Sequence, residues 1–117
     1  MLLVRDPATG DWSNYVYSTV GDQQTRPIVL LDEQNNVIHM FATATVNGGN
    51  IYEKTSPLNA ISFPTGRGTP FVKDAANATM NNVTSTKQNV NNTTGLVVLA
   101  TNSATGYYWH NYKALGP

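Results

Sequence analysis

Arg26 is the residue best suited to grip a ligand, because its planar guanidinium matches a carboxylate or a pair of sugar hydroxyls with parallel hydrogen bonds. It lies in "GDQQTRP", close to Asp22, Gln23 and Thr25. A pairing with Asp22 or Asp32 that merely orients a loop is the competing role. Lys87, the lone charge in "TSTKQNV" (84–90), raises the same choice: ligand contact beside Thr84, or solvation. "YYWHNY" (107–112) is the densest aromatic cluster. On a strand, alternation sends Tyr107, Trp109 and Asn111 to one face and Tyr108, His110 and Tyr112 to the other. Such rings either stack on the C–H faces of sugars or fill the space between neighbouring sheets.

Hydrolytic chemistry asks for two carboxylates at a controlled separation, or a tyrosine nucleophile with an acid/base partner. The seven acids are Asp6, Asp11, Asp22, Asp32, Glu33, Glu53 and Asp74. Most fall in turn-forming segments, where solvation is the simplest account. Glu53 alone lies inside a strand-like run, and its neighbour Lys54 points to the opposite face. His39 in "VIHMF" and His110 are too few and too separated to define a metal site, and read as hydrogen-bonded strand histidines. No triad, phosphate loop or nucleotide fingerprint is present. The reading therefore assigns no catalytic residue, metal or cofactor.

The elements that must position these groups are strands. No window shows a helical stripe, and short β-rich runs alternate with Gly, Asn and Pro punctuation, the all-β signature. Strands are expected at 2–6, 12–20, 26–32, 37–45, 51–56, 61–63, 69–74, 84–90, 96–101 and 107–115, with 74–82 a loop. Most connections are four or five residues long, so each strand pairs with its sequence neighbour in an antiparallel meander. Pro27 falls at a strand start, where a missing N–H is tolerated.

The 117 residues fit one domain, and seven basic residues balance seven acidic ones at only 12% charge. No Lys/Arg stripe exists to neutralise a phosphate backbone or anionic lipid, which argues against nucleic-acid and membrane-surface partners. No apolar run reaches the roughly 18 residues of a transmembrane helix. Without cysteine there are no disulfides, thiol nucleophiles or zinc-thiolate sites. A chain rich in Asn, Thr, Ser and Gly and poor in charge has the composition of secreted bacterial β-proteins. "MLLV" is too short for a signal core, so an export signal is expected to lie outside this sequence.

An internal repeat emerges when "NNVIHMFATATVNGGNIYEKTSPL" is laid over "TTGLVVLATNSATG-YYWHNYKAL", matching Ala42-Thr43 with Ala100-Thr101. The chain then reads as a repeating unit of strands a to d: c–d at 1–20, a complete a–b–c–d at 25–73, and a–b–c at 83–115. A repeated four-stranded meander is the β-propeller blade. The order "RPIVLLDEQNNVIHMFAT … NIYEKTSPLNAISFP" resembles blades of sialidase-like propellers of secreted bacterial carbohydrate-active proteins, in which "RP-hydrophobic", "VxHxF" and "IYxKTS" strands recur. "DPATGDW" (6–12) sits where that family carries its Asp-box turn, S-x-D-x-G-x-x-W, but Asp6 is too far from Gly10 and Trp12 too near.

The resemblance implies a ligand site over the central channel, lined by starts of inner strands and by the d–a and b–c loops. That collects Asp22, Gln23, Thr25, Arg26, Asn47, Asn50, Asn82, Thr84, Lys87 and Asn102, with Trp109 and His110 from the aromatic strand as further contacts. Just over two blades cannot close a ring that needs about four to eight. Closure is expected either from a head-to-tail homo-oligomer, for instance a trimer of about six blades, or from further sequence. The functional expectation is a non-catalytic, carbohydrate-binding or self-assembling module; the alternative is a fragment of a sialidase-like glycan hydrolase or lyase.

Overall fold

Alternating apolar residues and Gly/Asn turns fold into nine strands in the computed structural model, which describes residues 1–44 and 49–116. They are β1 (Leu2–Arg5), β2 (Trp12–Tyr15), β3 (Gln24–Asp32), β4 (Val37–Ala44), β5 (Ile51–Pro57), β6 (Thr69–Val72), β7 (Met80–Thr84), β8 (Leu96–Asn102) and β9 (Tyr108–Lys113). The only helical element among the described residues is a single 3-10 turn, Val20–Asp22, far too short to cross a membrane. The strands make three antiparallel sheets in sequence order: β1-β2, β3-β4-β5-β6 and β7-β8-β9. The all-β antiparallel class holds.

Two apolar layers join the sheets. Ile38, Met40 and Ala42 on one face of β4 meet Tyr17, Leu2, Leu58, Ile61 and Phe63. Phe41 and Ile51 on the other face meet Leu96, Val98 and Ala100 of β8, with Leu30, Val72, Met80 and Val90 around them. The middle sheet is thus buried on both sides, which explains why β4 is buried along nearly its whole length.

The turns reuse one chemistry. In 6–10, 91–95 and 102–106 an Asp or Asn side-chain oxygen accepts from the two backbone N–H groups two and three residues on. In each, the closing glycine N–H returns to the first residue's carbonyl at 2.8 Å. Gly10, Gly95 and Gly106 hold φ of 84°, 60° and 73°, a region glycine adopts without penalty.

Three strand expectations are corrected. The inner strand of the third sheet is Met80–Thr84, which begins inside the expected 74–82 loop, and of the expected 84–90 strand only Thr84 pairs in a ladder, with Leu99. Met80 and Val83 carry its burial, while the Thr86 hydroxyl folds 86–88 into a turn by accepting from Gln88 N. Val90 leaves that turn to seat in the core, its N–H donating to the Leu31 carbonyl. The 12–20 strand stops at Tyr15, because Tyr17 turns inward under β5. Residues 61–63 are not a strand; Ile61 and Phe63 serve as apolar plugs, and Tyr17 and Phe63 meet edge-on.

Candidate functional site

A one-residue bulge aims Arg26. Thr25 pairs with Thr43 and Ile28 with Phe41, so Arg26 and Pro27 together face Ala42. Pro27 therefore lies within β3 at the bulge, another position where its missing N–H is harmless. Arg26 takes a left-handed φ of 52°, which turns its side chain out of the pleat and across to the third sheet. There its Nη1 donates to Asn81 Oδ1, which also accepts from Asn82 N at 2.9 Å.

This contact spans a polar cleft of about 490 Å³ between the second and third sheets, within the roughly 300–1,000 Å³ of small-molecule sites. Its walls are Thr25, Arg26, Thr43 and Ala44 on one side and Thr79, Met80, Asn81 and Ser103 on the other. Thr43 is only 3% exposed, and its hydroxyl has no hydrogen-bond partner. Nearby in sequence to the bridged Gly49, the Asn50 side-chain oxygen is also buried without a partner. Buried polar groups are nearly always paired, so an orphan hydroxyl in a cleft wall marks a place where a ligand hydroxyl, or water, completes the bonding.

The sequence-derived candidates divide. Arg26 and Thr25 line the cleft. Asp22 does not: its carboxylate accepts from Thr19 N at 2.8 Å, from the Thr19 hydroxyl and from Ser18, which together hold its pKa below the ordinary aspartate value. Arg67 Nε donates to the Asp22 carbonyl at 2.7 Å and reaches Gln23 Oε1. Asn102 is fully buried and saturated, donating to Asp74 and the Asn77 carbonyl while accepting from Thr79, Ala104 and Thr105. Asn82 is exposed at the bulge of β7, and Asn47 lies outside the described residues. Thr84 and Lys87 border a separate shallow groove with Pro27, Ile28 and Val29. Trp109 packs on the core, its indole N–H buried and unpaired, while His110 points outward on the opposite face of β9.

Half-buried Glu53 and buried Lys54 both serve structural ends. Glu53 Oε1 lies 2.9 Å from His39 Nδ1 and 3.0 Å from Lys113 Nζ, joining β4, β5 and β9 across the sheet boundary. Burial opposes ionisation of Glu53, but hydrogen bonds and charge from His39 and Lys113 outweigh it and hold its pKa below the usual value. Lys54, 2% exposed on the other face, donates to the Tyr17 carbonyl at 2.7 Å and sits 5.0 Å from its ring. Burial lowers the Lys54 pKa, with Asp22 partly offsetting it. Among the described residues no three of His, Asp and Glu gather as a metal-binding group.

No protein-family model, curated protein or solved structure matches the chain. The function rests on the geometry alone. Sequence reasoning missed Thr43, Thr79, Asn81 and Ser103; a lone hydroxyl in the buried half of "FATA" was the one signal, since a strand buried on both faces has no use for it.

Proposed function

We propose that this chain is a non-catalytic β-propeller segment that binds carbohydrate in the cleft between its second and third sheets. The observation carrying this reading is the buried, unpartnered Thr43 hydroxyl beside the exposed Arg26 guanidinium. Thr25, Thr79, Asn81 and Ser103 add hydroxyl and amide groups at the same opening, the mixed donor and acceptor set a polyol needs. Among the described residues no carboxylate lines the cleft, and the two strand-borne carboxylates are committed elsewhere, Asp32 to Asn35 and Glu53 to His39 and Lys113. That favours binding over hydrolysis, which needs an acid and a base beside the bond it breaks. Three stacked antiparallel sheets and a bulge repeated in two of them support the propeller part.

A glycan array followed by titration calorimetry on the strongest hit tests the proposal. Binding without product release is expected, with at least a tenfold loss in Arg26→Ala, the equivalent of about 1.4 kcal/mol. Binding unchanged in that variant, or turnover of the bound glycan, overturns it.

A further inference from the structure

The third sheet turns an apolar face to solvent. Alternation along β8 buries Leu96, Val98 and Ala100 and leaves Val97 and Leu99 outside, 39% and 41% exposed. On β9, Tyr112 pairs with Val97, His110 with Leu99 and Tyr108 with Thr101, so the exposed rings continue the same face. Single exposed apolar residues need no explanation, but a contiguous sheet face of this kind marks an interaction site.

The ladder registers tell what covers such a face elsewhere in the molecule. In β4, Thr43 pairs with Ile51 just as Thr101 pairs with Tyr108 in β8, and both strands meet their inner neighbour through the same bulge. Phe41 is therefore the equivalent of Leu99, and His39 of Val97. The Phe41 face is buried by a sheet of this chain, through Leu96, Val98 and Ala100.

The first sheet presents a matching surface. Leu3 and Trp12 are 56% and 63% exposed, and the β1–β2 register places Leu3 and Asn14, then Arg5 and Trp12, on the face opposite Leu2 and Tyr15. Charge favours the union. Apart from Lys113, which is paired with Glu53, residues 75–116 carry Lys87 and His110 and no carboxylate, whereas residues 1–15 of the first sheet carry Asp6 and Asp11 against Arg5 alone.

We propose that the outer face of the third sheet docks a second copy of this chain, which seats its first sheet over Val97, Leu99, Tyr108 and Tyr112. Two different surfaces meet, so the contact is heterologous and the joined pair keeps one free surface of each kind. Repetition then builds a ring or an open stack, with the charge complement steering the approach. None of Val97, Leu99, Tyr108 and Tyr112 lines the Arg26–Thr43 cleft, so the interface stands or falls separately from it.

Light scattering coupled to size exclusion tests the interface with two exposed-site variants, Leu99→Glu and Trp12→Glu. The wild-type chain is expected to run above its 12.7 kDa mass and to grow with concentration. Each variant alone is expected at the single-chain mass, because one of its two surfaces is spoiled. Mixed in equal amounts, they are expected to form a dimer and nothing larger, since each supplies the surface the other lacks. Circular dichroism checks that both remain folded, and Val97→Glu and Leu3→Glu replace either one that does not. A wild-type chain that stays monomeric up to its solubility limit overturns the proposal. So do variants that still assemble alone, or a mixture that stays monomeric.

Discussion

Arg26 and Asn82 occupy the same place in two different sheets. Each is the first of two residues that face a single partner-strand residue, Ala42 or Ala100, and their φ angles are 52° and 51°. A shared bulge with a shared left-handed residue is a stronger sign of internal repetition than the few identities in the sequence, because bulges are built features. Left-handed backbone costs an ordinary side chain about 1–2 kcal/mol, least for Asn and most for a β-branched residue. Asn82→Val is therefore expected to destabilise by about 1–2 kcal/mol, and Asn82→Gly to be neutral or slightly stabilising. Urea unfolding midpoints at unchanged slope measure both. A valine variant as stable as wild type means the bulge is not held as described.

Glu53 ties three strands from two sheets, so its loss is felt across the sheet boundary. Glu53→Gln keeps the shape but leaves His39 and the part-exposed Lys113 without their carboxylate, at a cost of about 1–2 kcal/mol at neutral pH. The pH dependence follows from the lowered folded pKa. The folded state binds fewer protons than the unfolded one in acid, so the stabilisation is present above the ordinary glutamate value. It is lost as pH falls through the lower, folded value. Wild type is expected to lose stability over that acidic range more steeply than Glu53→Gln. Parallel urea titrations from neutral pH downward measure it, and equal slopes would contradict the assignment.

Much of this fold was legible because the strands are short, alternating and punctuated by Asp or Asn and Gly, as in "DPATG", "NNTTG" and "NSATG". The overlay of Ala42-Thr43 on Ala100-Thr101 agrees with the ladder registers for the same reason: alternation fixes which residues can be equivalent. The β7 strand was hidden. "MNNVT" is poor in strand formers, and its bulge breaks the two-residue period between Met80 and Val83, whereas "TSTKQNV" has the composition of a strand but pairs only through its first residue, Thr84. The cleft was half legible. Arg26 announces itself by chemistry, but Asn81 and Ser103 reach it only through the packing of two sheets, which no local pattern encodes. Lys113 to Glu53, sixty residues apart, was illegible for the same reason.

Tyr17 is buried with an unpaired hydroxyl, and burial, with the Asp22 charge second, raises its pKa from 10.0 to about 12. The folded state thus holds the phenol proton longer than the unfolded one. Stability from this group is complete below pH 10.0 and is lost progressively as pH rises toward about 12. Tyr17→Phe removes both the orphan hydroxyl and the titration. It is expected to gain about 1 kcal/mol at neutral pH and to show a shallower alkaline decline than wild type. Lys54 still donates to the backbone carbonyl of residue 17, so that bond survives the change. Urea unfolding across the alkaline range reads both effects.

Thr43 sets stability against binding. Its hydroxyl is buried without a partner in the cleft wall, so the free protein bears the cost of desolvating it. Thr43→Val keeps the shape and removes the hydroxyl, and is expected to stabilise the free chain by about 1 kcal/mol. The same change removes the group that a ligand hydroxyl would complete, so glycan affinity is expected to fall at least tenfold, about 1.4 kcal/mol. Thr43→Ser restores the hydroxyl but opens a methyl-sized gap, and is expected to recover binding while losing about 1 kcal/mol of stability. Calorimetric titration and urea unfolding on the three proteins separate the two effects. A valine variant that is more stable and binds undiminished would show that the hydroxyl faces no ligand.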